Sequence, residues 1–168
     1  MNTTQAIRAR RSIRKYQPEQ EIPEEHIRLI LEAAMLAPSA RNTRPWEFAV
    51  VTDRKIREQI VQAHAHAKHL LEASAGIVVC ARPDLQENGM EGFVPQDCGA
   101  AIENILLQAT ELGYGTCWCG IYPRRERTEA VRKILGITSV PMAVITIGVA
   151  AEEPKARGFY DPERVRFY

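Results

Sequence analysis

The residues best suited to chemistry form a basic cluster near the start of the chain. Although the formal net charge of the whole chain is only +1, five basic residues fall within eight positions: Arg8, Arg10, Arg11, Arg14 and Lys15. Guanidinium forks with a hydroxyl between them, here that of Ser12, suit a compact dianion such as a phosphomonoester. A solvated run of charges, or a basic arm that contacts nucleic acid, would have the same composition. The cluster alone leaves these three interpretations open.

A second polar segment is bracketed by Pro38 and Pro45 and is followed by Trp46. The prolines fix the backbone at both ends, and the side chains between them offer donors at short intervals: Ser39, Arg41, Asn42 and Arg44. Such a stiff loop could read the edge of a planar heterocycle. An ordinary turn between a helix and a strand is the alternative.

Glycines and two cysteines mark a third segment, from Gly113 to Gly120. Cys117 and Cys119 form a Cys-x-Cys pair, but zinc and iron–sulfur sites need about four ligands, and thioredoxin-type redox motifs have two residues between the cysteines. We therefore predict that both thiols pack as small apolar groups in a strand and that no metal is bound. Gly120 would let a backbone N–H approach a flat ligand closely.

The C-terminal tail, residues 152–168, carries a further basic pair. Lys155 and Arg157 are two positions apart, so in an extended chain both side chains point to one side. There they could clamp the same anion as the N-terminal arginines, although a solvated terminus has the same sequence.

Three histidines are predicted to fall late in one helix. His66 and His69 are three positions apart and would share a face of that helix, while His64 precedes them. No carboxylate lies beside them at a metal-ligand spacing. Contact with the edge of a ligand, or simple exposure, is therefore predicted in place of a metal site.

The elements that must position these segments alternate between helices and strands. Helices are predicted to begin at Pro23, after an Asp53 cap and after an Asp97 cap, and the third of these to end at Gly113. A fourth helix, with an apolar stripe of Val131, Ile134 and Leu135, is predicted to end at Gly136. The predicted strands are Trp46 to Val51, Ile77 to Cys80, Thr116 to Ile121 and Val140 to Ala150, and residues 82–95 are predicted to form a loop. This order indicates a sheet covered by helices.

Length and composition predict one domain over residues 1–168. Hydrophobic residues at 45% and charged residues at 26% are ordinary globular values. There is no apolar run near the ~20 residues of a membrane span, no signal-peptide core, and no disulfide framework among the four cysteines. A cytoplasmic protein with reduced thiols is predicted. Dinucleotide-fold, P-loop and nucleophile-elbow motifs are absent from the sequence.

Taken in order, the four segments resemble the nitroreductase family of FMN-dependent oxidoreductases. The resemblance runs from Ala6 to the tail near Val165. It rests on Arg10-Arg11-Ser12-Ile13-Arg14, on Pro38-Ser39-Ala40-Arg41-Asn42 with Pro45-Trp46, on Gly115-Thr116-Cys117-Trp118-Cys119-Gly120, and on Lys155-x-Arg157.

The resemblance implies an α+β fold, a three-layer α/β/α sandwich around a central mixed, mainly antiparallel sheet. It also implies a homodimer with FMN held at the subunit interface. The implied phosphate contacts are Arg10, Arg11, Ser12, Arg14, Lys155 and Arg157. The partner subunit would contribute Pro38, Ser39, Ala40 and Asn42, and the flavin ring would lie beside Cys119 and Gly120. Where some members place an Asn and a Lys near the flavin pyrimidine, this sequence offers His66 and His69.

The implied activity is electron transfer from NADH or NADPH, through flavin N5, to a small flat acceptor of the nitroaromatic or quinone type. The flavin would carry the chemistry, so no side-chain acid or base is expected. A non-catalytic flavin carrier or sensor on the same fold is the alternative. A nucleic-acid-binding module is disfavoured by the near-neutral charge and by the lack of aromatic residues within the basic cluster. The acceptor, the choice of nicotinamide and the effect of the short 82–95 loop on substrate access stay open.

Overall fold

A four-stranded sheet lies at the centre of the computed structural model, which describes residues 1–168. The strands are β1 (Trp46–Val51), β2 (Ala75–Ala81), β3 (Gly115–Gly120) and β4 (Val140–Gly148). They lie in the order β1-β2-β4-β3, and every neighbouring pair is antiparallel. A parallel bridge between Ser12 and Thr116 adds the N-terminal segment to the β3 edge, so the sheet is mixed and mainly antiparallel.

Five α-helices cover this sheet. They are α1 (Thr3–Ala9), α2 (Glu24–Met35), α3 (Arg54–Ala63), α4 (Val94–Glu111) and α5 (Arg125–Leu135). Short 3₁₀ segments occupy Ala40–Asn42, Ala65–Leu71, Pro83–Leu85, Glu91–Phe93 and Pro162–Arg164. None of the helices is both long enough and apolar enough to cross a membrane.

The sheet separates two hydrophobic cores, because successive side chains of β2 point to opposite faces and all of them are buried. Ile77 and Val79 belong to a cluster of 20 buried residues with α2 and α4. Val78 and Cys80 belong to a cluster of 11 buried residues with α3, α5 and the segment 65–71. The result is the predicted three-layer α/β/α arrangement, and the α+β fold class is confirmed.

Several predicted helix ends are confirmed by their backbone. The Asp53 side chain accepts a hydrogen bond from the Ile56 N–H at 3.0 Å and caps α3. Gly113 (φ 87°) and Gly136 (φ 64°) follow α4 and α5 in the left-handed region, which glycine adopts without a Cβ clash.

The prediction that Asp97 caps α4 is wrong. The helix begins at Val94, with Pro95 in its first turn, where no backbone donor is needed. Asp97 is buried one turn into the helix. Its carboxylate accepts hydrogen bonds from the Ala40 N–H at 3.0 Å and from Gln86 Nε2 at 2.9 Å. The carboxylate therefore fastens the proline-bracketed loop to α4.

The prediction that the three histidines lie late in one helix is also wrong. Helix α3 ends at Ala63, and His64 leaves helical geometry with φ −143° and ψ 77°. The chain continues as the 3₁₀ segment Ala65–Leu71, which is itself kinked at Ala67. Because the helix is broken, His66 is exposed whereas His69 is buried, and the two do not share a helix face.

Candidate functional site

A cleft of about 620 Å³ opens along the outer edge of β3. This volume falls within the range of small-molecule and cofactor sites. Its walls come from the N-terminal segment, the segment after α3, strand β3 and helix α5. The lining residues are Arg14, His64, Ala65, His66, Lys68, His69, Cys117, Trp118, Cys119, Gly120 and Arg127. The fold therefore brings together the basic cluster, the histidines and the glycine–cysteine strand.

Strand β3 presents free backbone groups to this cleft. The Ile13 N–H donates to the Thr116 carbonyl at 2.8 Å, so the backbone of Thr116 faces away from β4. The two-residue period of a strand turns the N–H and C=O groups of Trp118 and Gly120 to the same outer edge. A Cβ placed on Gly120 would meet no atom within 4 Å. The cleft thus offers an open stretch of backbone against which a flat ligand can lie.

The arginines of the basic cluster have separate roles. Arg14 lines the cleft, and its backbone N–H donates to a carboxylate oxygen of Glu152 at 2.6 Å. Arg10 forms an ion pair with Glu103 of α4 at 3.4 Å. Arg11 donates to two backbone carbonyls at the end of α1, at 2.6 and 2.7 Å. Of the predicted phosphate contacts on this segment, only the Arg14 side chain borders the cleft.

His64 is a site residue that the sequence reasoning missed. Its side chain is 2% exposed, and neither ring nitrogen has a hydrogen-bond partner. Burial lowers the pKa of the imidazole, and the nearby Arg127 guanidinium lowers it further. An unpartnered buried polar group costs about 1–3 kcal/mol, so a ligand that bonds to it would recover that energy. Only its burial marks His64 as a site residue, and burial at this position cannot be read from the sequence.

Two cations of the cleft were also missed. Lys68 lies between the predicted His66 and His69, and Arg127 lies in the first turn of α5. Together with Arg14 they give the cleft three positive side chains. A concave surface with this charge favours an anionic ligand.

Buried thiols and an imidazole form the inner wall of the cleft. His69 Nε2 lies 3.3 Å from Cys119 Sγ, and Cys117 is on the same side of β3. The hydrogen bond from Cys119 lowers the pKa of Cys117, and His69 lowers it further. That same bond, together with burial, raises the pKa of Cys119. The pair therefore favours a thiolate on Cys117.

The proline-bracketed loop does not reach this cleft within one chain. It precedes β1, which lies at the opposite edge of the sheet from β3, three interstrand spacings or about 14 Å away. Pro38, Ser39, Ala40 and Asn42 are therefore absent from the lining. The loop is nevertheless built for a specific shape, because Arg41 (φ 52°), Asn42 (φ 57°) and Arg44 (φ 52°) adopt left-handed conformations that are rare outside glycine.

The tail pair also lies outside the lining. Lys155 and Arg157 are exposed, and neither borders the cleft, although Glu152 of the tail bonds to the backbone of Arg14. The aromatic side chains that follow are open to solvent: Phe159, Tyr160, Phe167 and Tyr168 are 73% exposed or more.

Comparison with known proteins assigns the fold and the sequence to a family. The sequence model of the nitroreductase family matches residues 7–68 and 63–149. A relative from Methanothermobacter thermautotrophicus, provisionally named an NADH dehydrogenase/NAD(P)H nitroreductase, is 43% identical over 98% of this chain and 86% of its own. A solved structure of the same provisional name, from Parabacteroides distasonis, superposes with a TM-score of 0.91 at 34% identity and covers 99% of this chain and 98% of its own.

A third match carries a ligand. A provisionally named nitroreductase from Desulfovibrio desulfuricans, solved in complex with FMN, superposes with a TM-score of 0.85 at 28% identity over 100% of this chain and 97% of its own. The sequence resemblance, the family model and the superpositions agree over nearly the whole length. This chain belongs to the nitroreductase family.

Proposed function

We propose that this chain is an FMN-dependent oxidoreductase that transfers electrons from NADH or NADPH to a small, flat, electrophilic acceptor of the nitroaromatic or quinone type. The observation that carries the proposal is the cleft along β3, where open backbone, a buried unpartnered imidazole and the Arg14 guanidinium border one space. The names of its relatives support the same class of activity.

The lining residues fit the parts of FMN. The open backbone at Gly120 leaves room for the flat ring system, and its outward N–H is a donor to a ring heteroatom. His64 has two unpartnered nitrogens for the polar edge of the ring. Arg14 supplies a guanidinium for the phosphate. Arg10 and Arg11 are engaged elsewhere, so their contribution would be to hold the segment in place.

The protein's part in the reaction is binding and orientation. FMN, when bound, supplies the acceptance of a hydride from the nicotinamide and the delivery of electrons to the second substrate. Strand β3 is hydrogen-bonded to β4 along its length, which gives the cleft a rigid wall. Arg14, Lys68 and Arg127 would offset the negative charge of bound FMN and would favour the reduced, more electron-rich ring. No side chain is assigned as an acid or a base.

The site is proposed to be completed by a second copy of the chain. The loop 38–42 is pre-shaped but precedes the strand at the opposite edge of the sheet from the cleft, so a two-fold partner could present it there. The exposed aromatic side chains of the tail are further surface that a partner would cover. FMN would then lie between the subunits, with Lys155 and Arg157 available to the phosphate.

The first test is an absorption spectrum of the purified protein, followed by release and chromatography of any flavin. One FMN per chain is expected. Reduced nicotinamide should then be consumed when a quinone or a nitroaromatic compound is added. FMN without turnover would instead identify a flavin carrier, and failure to bind added FMN would refute the proposal.

Arg14→Ala tests the phosphate anchor. Because hydrogen bonds to a charged group contribute about 1.5–3 kcal/mol, the dissociation constant for FMN should rise about tenfold to a hundredfold. The matched control is Arg28→Ala, which removes an exposed guanidinium on α2 that pairs only with Glu24. Equal FMN affinity in the Arg14 and Arg28 variants would contradict the assignment.

A further inference from the structure

Three soft donor groups meet behind β3. Cys117 and Cys119 are two positions apart on the strand and point into the same core, and His69 approaches them from the 3₁₀ segment. The imidazole nitrogen and the two sulfur atoms all lie within 4.8 Å of one another. The three side chains are 3%, 6% and 4% exposed. None of the three side chains is among the groups proposed above to hold the FMN phosphate and ring edge, Arg14, His64 and the Gly120 backbone, although they border the same cleft.

The cluster is held in place from several sides. Strand β3 is paired with β4 at both cysteine positions, opposite Thr146 and Val144. The His69 ring stacks on Tyr16, with 6.4 Å between centroids and 27° between planes. Tyr16 is in turn fixed by a hydrogen bond between its hydroxyl and the Thr146 side chain at 2.7 Å. The donors are therefore preorganised on packed elements and not on a mobile loop.

We propose that His69, Cys117 and Cys119 form a binding site for one thiophilic d¹⁰ metal ion, Zn²⁺ or Cu⁺. Two thiolates and an imidazole are the ligands that both ions prefer. All three residues also line the cleft, so a fourth coordination position would face it. Zinc sites with three protein ligands and one open position use this kind of donor set.

The spacing is close to what coordination needs. Tetrahedral bonds of about 2.3 Å to sulfur and about 2.0 Å to nitrogen place neighbouring ligand atoms roughly 3.5–3.8 Å apart. His69 Nε2 and Cys119 Sγ are already 3.3 Å apart, and the widest separation in the cluster is below 4.8 Å. Side-chain rotations that move the ligand atoms by about 1 Å would give the separations of a tetrahedral site. Binding replaces the remaining thiol protons, which leave to the solvent, and no group is oxidised or reduced.

The sequence predicts no metal site because the Cys-x-Cys pair is two ligands short and the nearest histidines are about fifty positions away. The fold adds the third ligand. Of the histidines predicted to share a helix face, the broken helix turns only His69 toward the sulfur atoms.

The test uses the full-length protein, reduced and freed of metal by a chelator, and then titrated with Co²⁺ as a spectroscopic substitute for zinc. A thiolate-to-cobalt charge-transfer band with an intensity for two thiolates, saturating at one ion per chain and reversed by Zn²⁺, is expected. A parallel titration with Cu⁺ against a chromogenic chelator distinguishes the second ion. Absence of saturable binding of both ions would overturn the proposal.

Variants locate the site. Cys117→Ser, Cys119→Ser and His69→Gln should each weaken binding at least tenfold. Cys98→Ser removes a buried thiol from the other core and should leave affinity unchanged. Equal loss in the Cys98 variant, or no loss in the three, would refute the assignment. If a ligand variant does not fold, the thiolate count from the wild-type cobalt spectrum still decides. These readouts do not involve flavin, so their failure is separate from failure of the proposed oxidoreductase activity.

Discussion

At the scale of single residues, two positions distinguish the cleft: one has no neighbouring atoms where a side chain would be, and the other has no hydrogen-bond partners. Gly120 has open space where a side chain would be, and His64 has two buried nitrogens without partners. Elsewhere, the buried polar residue Tyr16 bonds to its neighbours. Space without atoms and polar atoms without partners, side by side, are features of a binding site.

Gly120→Val is expected to separate ligand binding from folding. The new side chain would point into empty space, and valine suits a strand, so the free energy of unfolding should stay within about 0.5 kcal/mol of the wild type. Because Gly120 lines the cleft, the added bulk should obstruct the approach of a flat ring to this backbone, so FMN affinity should fall at least tenfold. Denaturant unfolding and fluorescence titration with FMN measure the two effects.

Gly99→Ala is the control, because a Cβ there meets Trp118 only at an ordinary 3.9 Å. Its FMN affinity should match that of the wild type. Wild-type affinity in the Gly120 variant would show that the flavin does not lie against this strand.

His64→Gln is expected to reduce the sensitivity of the fold to acid. Burial first, and then Arg127 and the neighbouring His66 and His69, hold the folded-state pKa of His64 below its ordinary value of 6.5. Between 6.5 and that lower value the unfolded chain binds a proton that the folded chain does not, so stability falls as the pH falls through this window. The unfolding free energy of the flavin-free protein should therefore fall more steeply for the wild type than for the variant between about pH 7.5 and about pH 5, the range that brackets an ordinary imidazole pKa. Parallel pH curves would contradict the prediction.

At the scale of elements, the proline-bracketed loop is fixed by one helix. Asp97 of α4 accepts from the Ala40 backbone, and Gln86 links the same carboxylate to the Thr43 hydroxyl at 2.8 Å. The Arg44 N–H donates to Ser39 Oγ at 2.9 Å and closes the loop on itself. These bonds hold a backbone with three left-handed residues, which would otherwise relax.

Asp97→Ala is expected to loosen this loop and to weaken FMN binding at a distance. Two donors would lose their acceptor, which should cost about 1–3 kcal/mol of unfolding free energy. Because the loop is proposed to contact flavin in a second subunit, FMN affinity should fall as well. Denaturant unfolding and FMN titration report the two quantities.

Asp53→Ala serves as the comparison, since it removes a carboxylate that caps α3 and should cost about 1 kcal/mol. FMN affinity should be retained in that variant. An Asp97 variant that is destabilised but binds FMN as tightly as the wild type would argue against the loop's role in the site.

At the scale of the whole molecule, one chain forms a three-layer unit that leaves aromatic side chains and a cleft exposed. Its two cores are buried against the sheet, yet the aromatic side chains of the tail are exposed and a cleft opens along β3. Large aromatic groups left exposed to solvent are common at interfaces.

Removal of residues 158–168 is expected to weaken self-association without unfolding the domain. None of the deleted side chains belongs to either main core, so the circular dichroism spectrum should be retained. The loss of four exposed aromatic groups should raise the dimer dissociation constant at least about tenfold, because aromatic residues dominate interface energetics. Sedimentation equilibrium of both proteins measures this, and a wild-type chain that is monomeric when loaded with flavin would contradict the dimer.

The sequence by itself determined the elements and the family. Four strands, the apolar helices and the glycine stops follow from local periodicity and from backbone preferences that act over a few residues, and the order of four short motifs indicated the nitroreductase family, which the comparisons confirmed. Local patterns failed where a tertiary contact competed with them. Asp97 resembled a cap in the sequence, but its carboxylate bonds to a loop 57 positions away.

Only the tertiary structure decided which residues share the cleft. Six residues are predicted to contact the phosphate, four near the start of the chain and two in the tail. Of these six, only Arg14 lines the cleft, and Arg10 forms an ion pair with Glu103. The burial of His64 and the meeting of His69 with two cysteines depend on how the broken helix packs against β3. Spacing along a chain does not encode these distances, because they result from the packing of elements that are far apart in sequence.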